Sequence, residues 1–299
     1  MSESDCKIVS SRGIMKSCDI YSSTPHSSIR QVIGYDFTKI KPGNTVYICG
    51  SALPHFISTA FNKITYPFIL VTGDCDDCCP NDLFTSQSDF LKFIESDKII
   101  HWYSQNCIGA HPKLSKIPIG MDYHTMSIKD HEWGPKTLPT DQERLLQHIK
   151  NKSKPISQRV NKAYANFHFL MTTRFSKDRK DAIKCIPAEC VYYETGKVAR
   201  LKTWTTQAQY SFVISPHGNG LDCHRTWEAI LLGCIPIVKT SPLDSLFEGL
   251  PVWIVKDWTD VTQKTMSSKR SEFSESGMNL EKTRLEYWMN IIKDSLKSY

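Results

Sequence analysis

The 299-residue sequence has no apolar run approaching the roughly 20 residues that a membrane-spanning helix needs. Its opening, Met1-Ser-Glu-Ser-Asp5, is polar and lacks the basic and apolar regions of a secretory signal. Low-complexity tracts and collagen-like repeats are missing too, with 14 Gly and 15 Pro both near average usage. Neither sign of charge dominates: 37 Lys and Arg against 31 Asp and Glu leave a net +6. The basic residues are scattered, and there is no zinc-finger spacing or RNP box, so the usual signatures of a nucleic-acid binder are excluded. A soluble, cytoplasmic protein with no transmembrane segment and no nucleic-acid partner is expected. The mild basicity suits small molecules that carry phosphate.

What the chain does hold is packing material. Hydrophobic residues make up 40% and aromatic residues 11%, too much for a disordered chain, and the length suits about two domains. The 11 cysteines are odd in number and irregular in spacing. Cys49 and Cys234 sit inside apolar runs, where cysteine behaves as a small hydrophobe. Cys75-x2-Cys78 could open a zinc site, but no second Cys/His pair follows at a suitable spacing. Reduced, unpaired thiols are the expectation.

Strand and helix patterns alternate. Buried strands are predicted at 45–49, 68–72 and 99–102, with helices at 54–61 and 88–96 and a short strand ending at 117–120. A polar stretch, 151–161, reads as a linker. The pattern then restarts with strands at 167–171, 210–214, 235–238 and 252–255, and with helices at 178–184 and 222–232. Leu285, Trp288, Ile292 and Leu296 form a closing amphipathic stripe. Continuous apolar strands separated by helices imply parallel sheets covered on both faces.

The richest stretch is Tyr210 to Val238, which reads as strand, glycine-containing turn, helix and strand. Gly218 and Gly220 let the backbone approach a ligand and adopt positive φ. The helix beginning near Asp222 offers unpaired N–H groups to an anion, with Arg225 in its first turn. Glu228, on the same face, can accept two hydrogen bonds from a vicinal diol such as ribose; the plainer reading is an exposed Arg225–Glu228 ion pair. The stretch matches neither G-x-G-x-x-G nor the Walker pattern.

Ser215-Pro-His-Gly-Asn-Gly220, His224-Arg-Thr-Trp-Glu-Ala229 and Gly233-Cys-Ile-Pro-Ile-Val238 resemble the donor-binding segment of exostosin-like glycosyltransferases. The similarity covers about 167–258 and extends more loosely to Gln105-Asn106, His111-Pro-Lys113 and Ile117-Pro-Ile-Gly-Met-Asp122. The soluble viral or bacterial members are the nearest in type.

The resemblance implies a GT-B fold: α/β, two Rossmann-like domains with parallel sheets facing across a cleft, closed by a C-terminal crossover helix. The expected boundaries are 1–155 for an acceptor-binding domain, 156–275 for a nucleotide-sugar-binding domain, and 276–299 for a helix packing back on the first domain. The donor, a UDP-sugar by family habit, would meet Ser215, His217, Gly218, Asn219, Gly220 and Arg225, with Arg174 and Arg179 as further cations and Glu228 on the ribose. Tyr193, with Tyr192, would flank the base. Asp122 and His124 would line the site of the glycan acceptor.

Val71-Thr-Gly-Asp-Cys-Asp-Asp-Cys-Cys79 follows a buried strand, and ligands of open α/β sheets bind beyond such ends. An inverting transferase needs a base for the acceptor hydroxyl, and Asp74, then Asp76, are the candidates. Read otherwise, Asp74-Cys-Asp76 is a D-x-D metal site, or a loop capped by its own aspartates. No cofactor is required on the first reading; a divalent cation belongs to the second. A non-catalytic nucleotide- or glycan-binding module is the alternative to an enzyme.

Overall fold

The computed structural model describes residues 2–169, 172–275 and 279–298. In chain order its early elements are α1 (Ser11–Ser17), β1 (Thr45–Cys49), α2 (Leu53–Thr59), β2 (Phe68–Gly73), α3 (Gln87–Ile94), β3 (Ile99–Ser104), β4 (Leu114–Lys116), α4 (His124–Ile128) and α5 (Pro139–Lys152). There follow β5 (Val160–Ala165), α6 (Ser176–Cys185), β6 (Val191–Tyr193), α7 (Arg200–Gln207), β7 (Tyr210–Ile214) and α8 (His224–Leu231). The last are β8 (Ile235–Lys239), β9 (Trp253–Val255), α9 (Gln263–Glu275) and α10 (Leu285–Asp294). The chain divides into two compact units. The first is Val9–Ile119 with Arg284–Tyr299, the second Met1–Ile8 with Gly120–Thr283.

In the first unit, β1 to β4 form a parallel sheet in chain order. Every residue of β1 and β2 is buried, as their unbroken apolar runs require. Phe56, Phe61, Phe68, Phe90, Phe93 and Trp102 build the core beside the sheet. Ser86 caps α3 by accepting a hydrogen bond from the Asp89 amide at 3.1 Å. The terminal helix α10 belongs to this unit: it buries Leu285, Trp288, Met289 and Ile292 and packs on α1. The Tyr103 hydroxyl donates to the Ile291 carbonyl at 3.0 Å. Leu296 lies past the helix and is exposed.

The second unit has a five-stranded parallel sheet in the order β6-β5-β7-β8-β9. The chain enters at β5, steps to one side for β6, then crosses to the other side for β7. The carboxyl ends of β5 and β7 therefore flank a topological switch point, the place where open α/β sheets bind ligands.

Four sequence expectations change here, the first being the short strand expected to end at 117–120, which is Leu114–Lys116 instead. The strand that opens the second sheet is Val160–Ala165, not 167–171; residues 166–169 are outside any strand, and Leu170 and Met171 lie outside the described residues. The polar stretch 151–161 is accordingly no boundary, since it runs into β5. Residues 120–155 join the second unit rather than the first, because α5 turns Leu146 and Ile149 into a core with Trp204, Ala229 and Leu231. The amides of Lys7 and Ile8, donating to Glu143 at 3.1 Å each, tie the first residues to α5. All 11 cysteines are free thiols. Among the described residues no helix is long and apolar enough to cross a membrane.

Ile292 is fully buried in α10. Ile292→Ala is expected to lower unfolding free energy by about 2–5 kcal/mol, read from urea denaturation. A midpoint equal to that of the unaltered chain would show that the helix does not stabilise the first unit.

Candidate anion site at the switch point of the second sheet

Two loops meet at the β5/β7 switch point. The segment after β5 leads to α6, which carries Asp178 and Arg179 in its first turns; the segment after β7 is Ser215 to Cys223, leading to α8. Asp178 joins them. Its carboxylate accepts from the His217 amide at 2.9 Å and from the Trp258 indole at 2.7 Å. Arg179, buried, donates from Nε to the His217 carbonyl at 2.9 Å and from Nη1 to the His168 carbonyl at 3.3 Å.

Arg179 and Arg225 share one aromatic support. Their guanidinium carbons lie 5.9 and 5.6 Å from the centre of the Phe167 ring. Burial, and then the charge of Arg225, push the pKa of Arg179 down. Arg225 Nη1 is buried and has no hydrogen-bond partner among the described residues. The hydroxyls of Thr173 and Tyr193 are buried without partners in the same way. A buried donor left unmatched costs about 1–3 kcal/mol, more when it is charged. Two like charges with a spare donor make a site that an anion would complete.

The remaining expected donor residues divide. His217 is fixed by its amide and by Nδ1, which donates to the Leu221 carbonyl at 3.0 Å. At Gly218 an added Cβ would stand 2.9 Å from Arg179 Nη2, so the Arg179 side chain would have to shift to admit one. Positive φ is not the reason for a glycine here: among the described residues the left-handed glycines are Gly34, Gly43, Gly120, Gly134, Gly196, Gly233 and Gly249, not Gly218 or Gly220. Asn219 is exposed and Gly220 buried at the loop tip. Ser215 is structural, its hydroxyl paired with that of Thr226 at 2.8 Å. Asp222 accepts from the Trp227 indole at 2.9 Å. Arg174 is exposed, over the Phe175 ring at 5.2 Å. Tyr193 packs edge-on to Phe169, whereas Tyr192 stacks on Tyr210 in a separate aromatic tier.

Glu228 does not pair with Arg225. Its carboxylate faces Arg200, with Oε1 3.9 Å from Nη2. Around it the second unit gathers Asp122 and His124, which the sequence placed in the other domain. His124 Nδ1 is 3.2 Å from Asp122, and Thr125 donates to the same carboxylate from its amide at 3.0 Å and its hydroxyl at 2.8 Å. Burial alone would raise the pKa of Asp122, but the charges of His124, His224 and Arg200 outweigh it and hold the carboxyl well below the usual range. His224 donates from Nδ1 to the Gly120 carbonyl at 2.7 Å, so in the neutral ring Nε2 carries the lone pair. Sequence reasoning passed over His224, Phe167, Asp178 and Arg200. The first lies inside the quoted motif; Arg200 carries no local signal.

Asp74 lies in the first unit. Its carboxylate accepts from Arg12 Nε at 3.2 Å and the Ser27 hydroxyl at 2.8 Å, while its amide donates to Ser11 and Gln105. These bonds hold its backbone at φ 54° and fasten the segment around Ser27 and Ser28. The Asp74 and Asp77 carboxylates meet the side chains of Arg12, Ser27 and Ser51, rather than the backbone amides that a capped loop implies. Asp76 is exposed and Asp77 accepts from Ser51. Among the described residues no group of three or more His, Cys, Asp or Glu is arranged to hold a metal ion.

No family model matches the chain, and no curated protein matches its sequence. Among solved structures, a crystal structure of an α1,3-fucosyltransferase is similar over 89% of this chain and 84% of that one, at 11% identity and a TM-score of 0.36. What the fold itself defines is a chain of two α/β units, each with a parallel sheet, with the terminal helix returned to the first.

The depressed pKa of Asp122 fixes a sign. A carboxyl that is more acidic when folded stabilises fully above its unfolded value of about 3.9, and the gain is lost as pH falls toward the folded value. Asp122→Asn is expected to be less stable than the unaltered chain by about 1.5–3 kcal/mol at pH 7, with the gap narrowing below about pH 4. Urea midpoints at pH 7 and pH 3 measure it; a gap that stays constant would contradict the assignment.

Proposed function

We propose that the chain is a glycosyltransferase that moves a sugar from a nucleotide sugar to a hydroxyl of a glycan acceptor. The observation that carries the donor half is the unmatched Nη1 of Arg225 beside Arg179 at the switch point. A diphosphate supplies the acceptors and the negative charge that this pair lacks. Glu228, one turn along α8 from Arg225, then meets the ribose, and Tyr193 flanks the base. The sugar-transfer half rests on the resemblance of 215–238 to exostosin-like enzymes, with UDP as the family's usual carrier.

In the reaction the acceptor oxygen bonds to the anomeric carbon as the bond from that carbon to the diphosphate oxygen breaks. The electron pair leaves with the nucleoside diphosphate, where Arg179 and Arg225 stabilise it. The acceptor proton needs a base. His224 takes that role in preference to Asp74, because its Nε2 lone pair is fixed by the bond from Nδ1 to Gly120, while the Asp74 carboxylate is committed to Arg12 and Ser27. Inversion at the anomeric carbon follows if attack is direct.

A panel of UDP-, GDP- and CMP-sugars with EDTA present tests this reading by hydrolysis and transfer. One donor is expected to turn over without metal, and His224→Asn to lower kcat by about 10²–10⁴-fold. Turnover that requires manganese would return Asp74 and Asp76 to the metal reading. Binding without turnover would leave a nucleotide-binding module, and no binding at all would end the proposal.

A further inference from the structure

We propose that Arg200 is a positioning residue that presents Glu228 to the ribose, so that the site takes ribonucleotides and discriminates against their 2′-deoxy forms. The inference rests on the donor-site reading above and adds a residue that no motif contains.

Arg200 is held on every side. Its side chain is 6% exposed, and Nη1 donates to the Asp122 carbonyl at 2.7 Å and to Gln142 Oε1 at 2.6 Å. Its amide donates to the Trp133 carbonyl at 2.8 Å. The guanidinium carbon lies 4.8 Å from the Trp133 ring and 5.2 Å from the Trp204 ring, which fixes its plane as well as its position. Gln142 is itself locked, donating to the carbonyls of Tyr123 and Thr137 at 2.9 Å each.

Such a clamp exceeds what helix packing asks of one side chain. Its remaining arm, Nη2, stops 3.9 Å from Glu228 Oε1. That separation is inside Coulombic range and outside hydrogen-bond range. Arg200 therefore balances the charge of Glu228 without occupying its lone pairs. Among the described residues no hydrogen bond reaches that carboxylate, although its side chain is 14% exposed. Its oxygens are not among the buried atoms left without a partner, so solvent reaches them, and a vicinal diol would replace that water with two donors. Residues three apart on a helix stand about 5–6 Å apart at Cβ, so Arg225 and Glu228 follow the order phosphate, ribose along a nucleotide.

The test is calorimetric titration, with EDTA, of UDP against 2′-dUDP and of GDP against 2′-dGDP. The unaltered protein is expected to bind one ribose form about tenfold or more tightly than its deoxy partner, the effect of one hydrogen bond to a charged group. Glu228→Gln should bring the ratio near one. Arg200→Lys and Arg200→Gln should bring it below about threefold while the deoxy affinity holds, since a lysine cannot span Asp122, Gln142 and Glu228 together. If the Arg200 variants do not fold, Trp133→Leu removes one face of the clamp at a half-buried position and should lower the ratio in the same direction.

A merely structural Arg200 would lower both affinities together and keep the ratio, which overturns the proposal. Equal binding of ribose and deoxy forms by the unaltered protein overturns it too, while leaving the diphosphate site standing. Binding of none of the four nucleotides fails the donor-site reading itself, and this inference with it.

Discussion

Two guanidinium groups, Arg179 and Arg225, rest on the single ring of Phe167, and one of them keeps a buried donor with no partner among the described residues. Bringing them together is unfavourable in itself, since like charges repel and burial removes their water. The fold imposes it. β5 and β7 are neighbours although β6 intervenes in the chain, so the loops after them converge at their carboxyl ends. Asp178 then fastens one loop to the other through the His217 amide. Gly218 is the residue that leaves room for Arg179 at this junction. Two like charges held this close, one with a buried donor lacking a partner among the described residues, are the feature on which the proposed donor site rests.

Around this pair the second unit places groups of complementary kind. α8 sends His224 toward Gly120, Arg225 toward Phe167 and Glu228 toward Arg200. One short helix thus sends an imidazole, a guanidinium and a carboxylate to three different partners. The Asp122 segment, although early in the chain, packs with this helix through Arg200 and α5. The first unit contributes a different device at Asp74, an ion pair that fastens the Ser27 segment over the ends of β1 and β2.

Much of this was legible in the residues. Unbroken apolar runs marked β1, β2, β7 and β8 nearly to the residue, because a strand covered on both faces has little choice of composition. The terminal stripe marked α10 for the same kind of reason. β5 was missed because its first three residues, Val160-Asn-Lys162, are polar or exposed and its buried half is just Ala163-Tyr-Ala165. The allotment of 120–155 failed because membership of a unit is decided by what α5 packs on, which lies tens of residues further along. The motif of 215–228 gave His217, Arg225 and Glu228, but not their partners. Arg200 and Phe167 meet the motif by juxtaposition alone, and the partners of Asp74, Arg12 and Ser27, are remote from it in sequence.

The most direct test compares the stability of the unaltered protein and of Arg225→Met with and without inorganic pyrophosphate, by chemical denaturation. A site built to be completed by an anion predicts that pyrophosphate stabilises the unaltered protein by RT ln(1 + [L]/Kd) and leaves the variant unchanged. It also predicts that the variant, relieved of one buried charge, is no less stable than the unaltered protein when pyrophosphate is absent. An unaltered protein indifferent to pyrophosphate, with a variant that is simply weaker, would show Arg225 to be a packing residue and contradict the account.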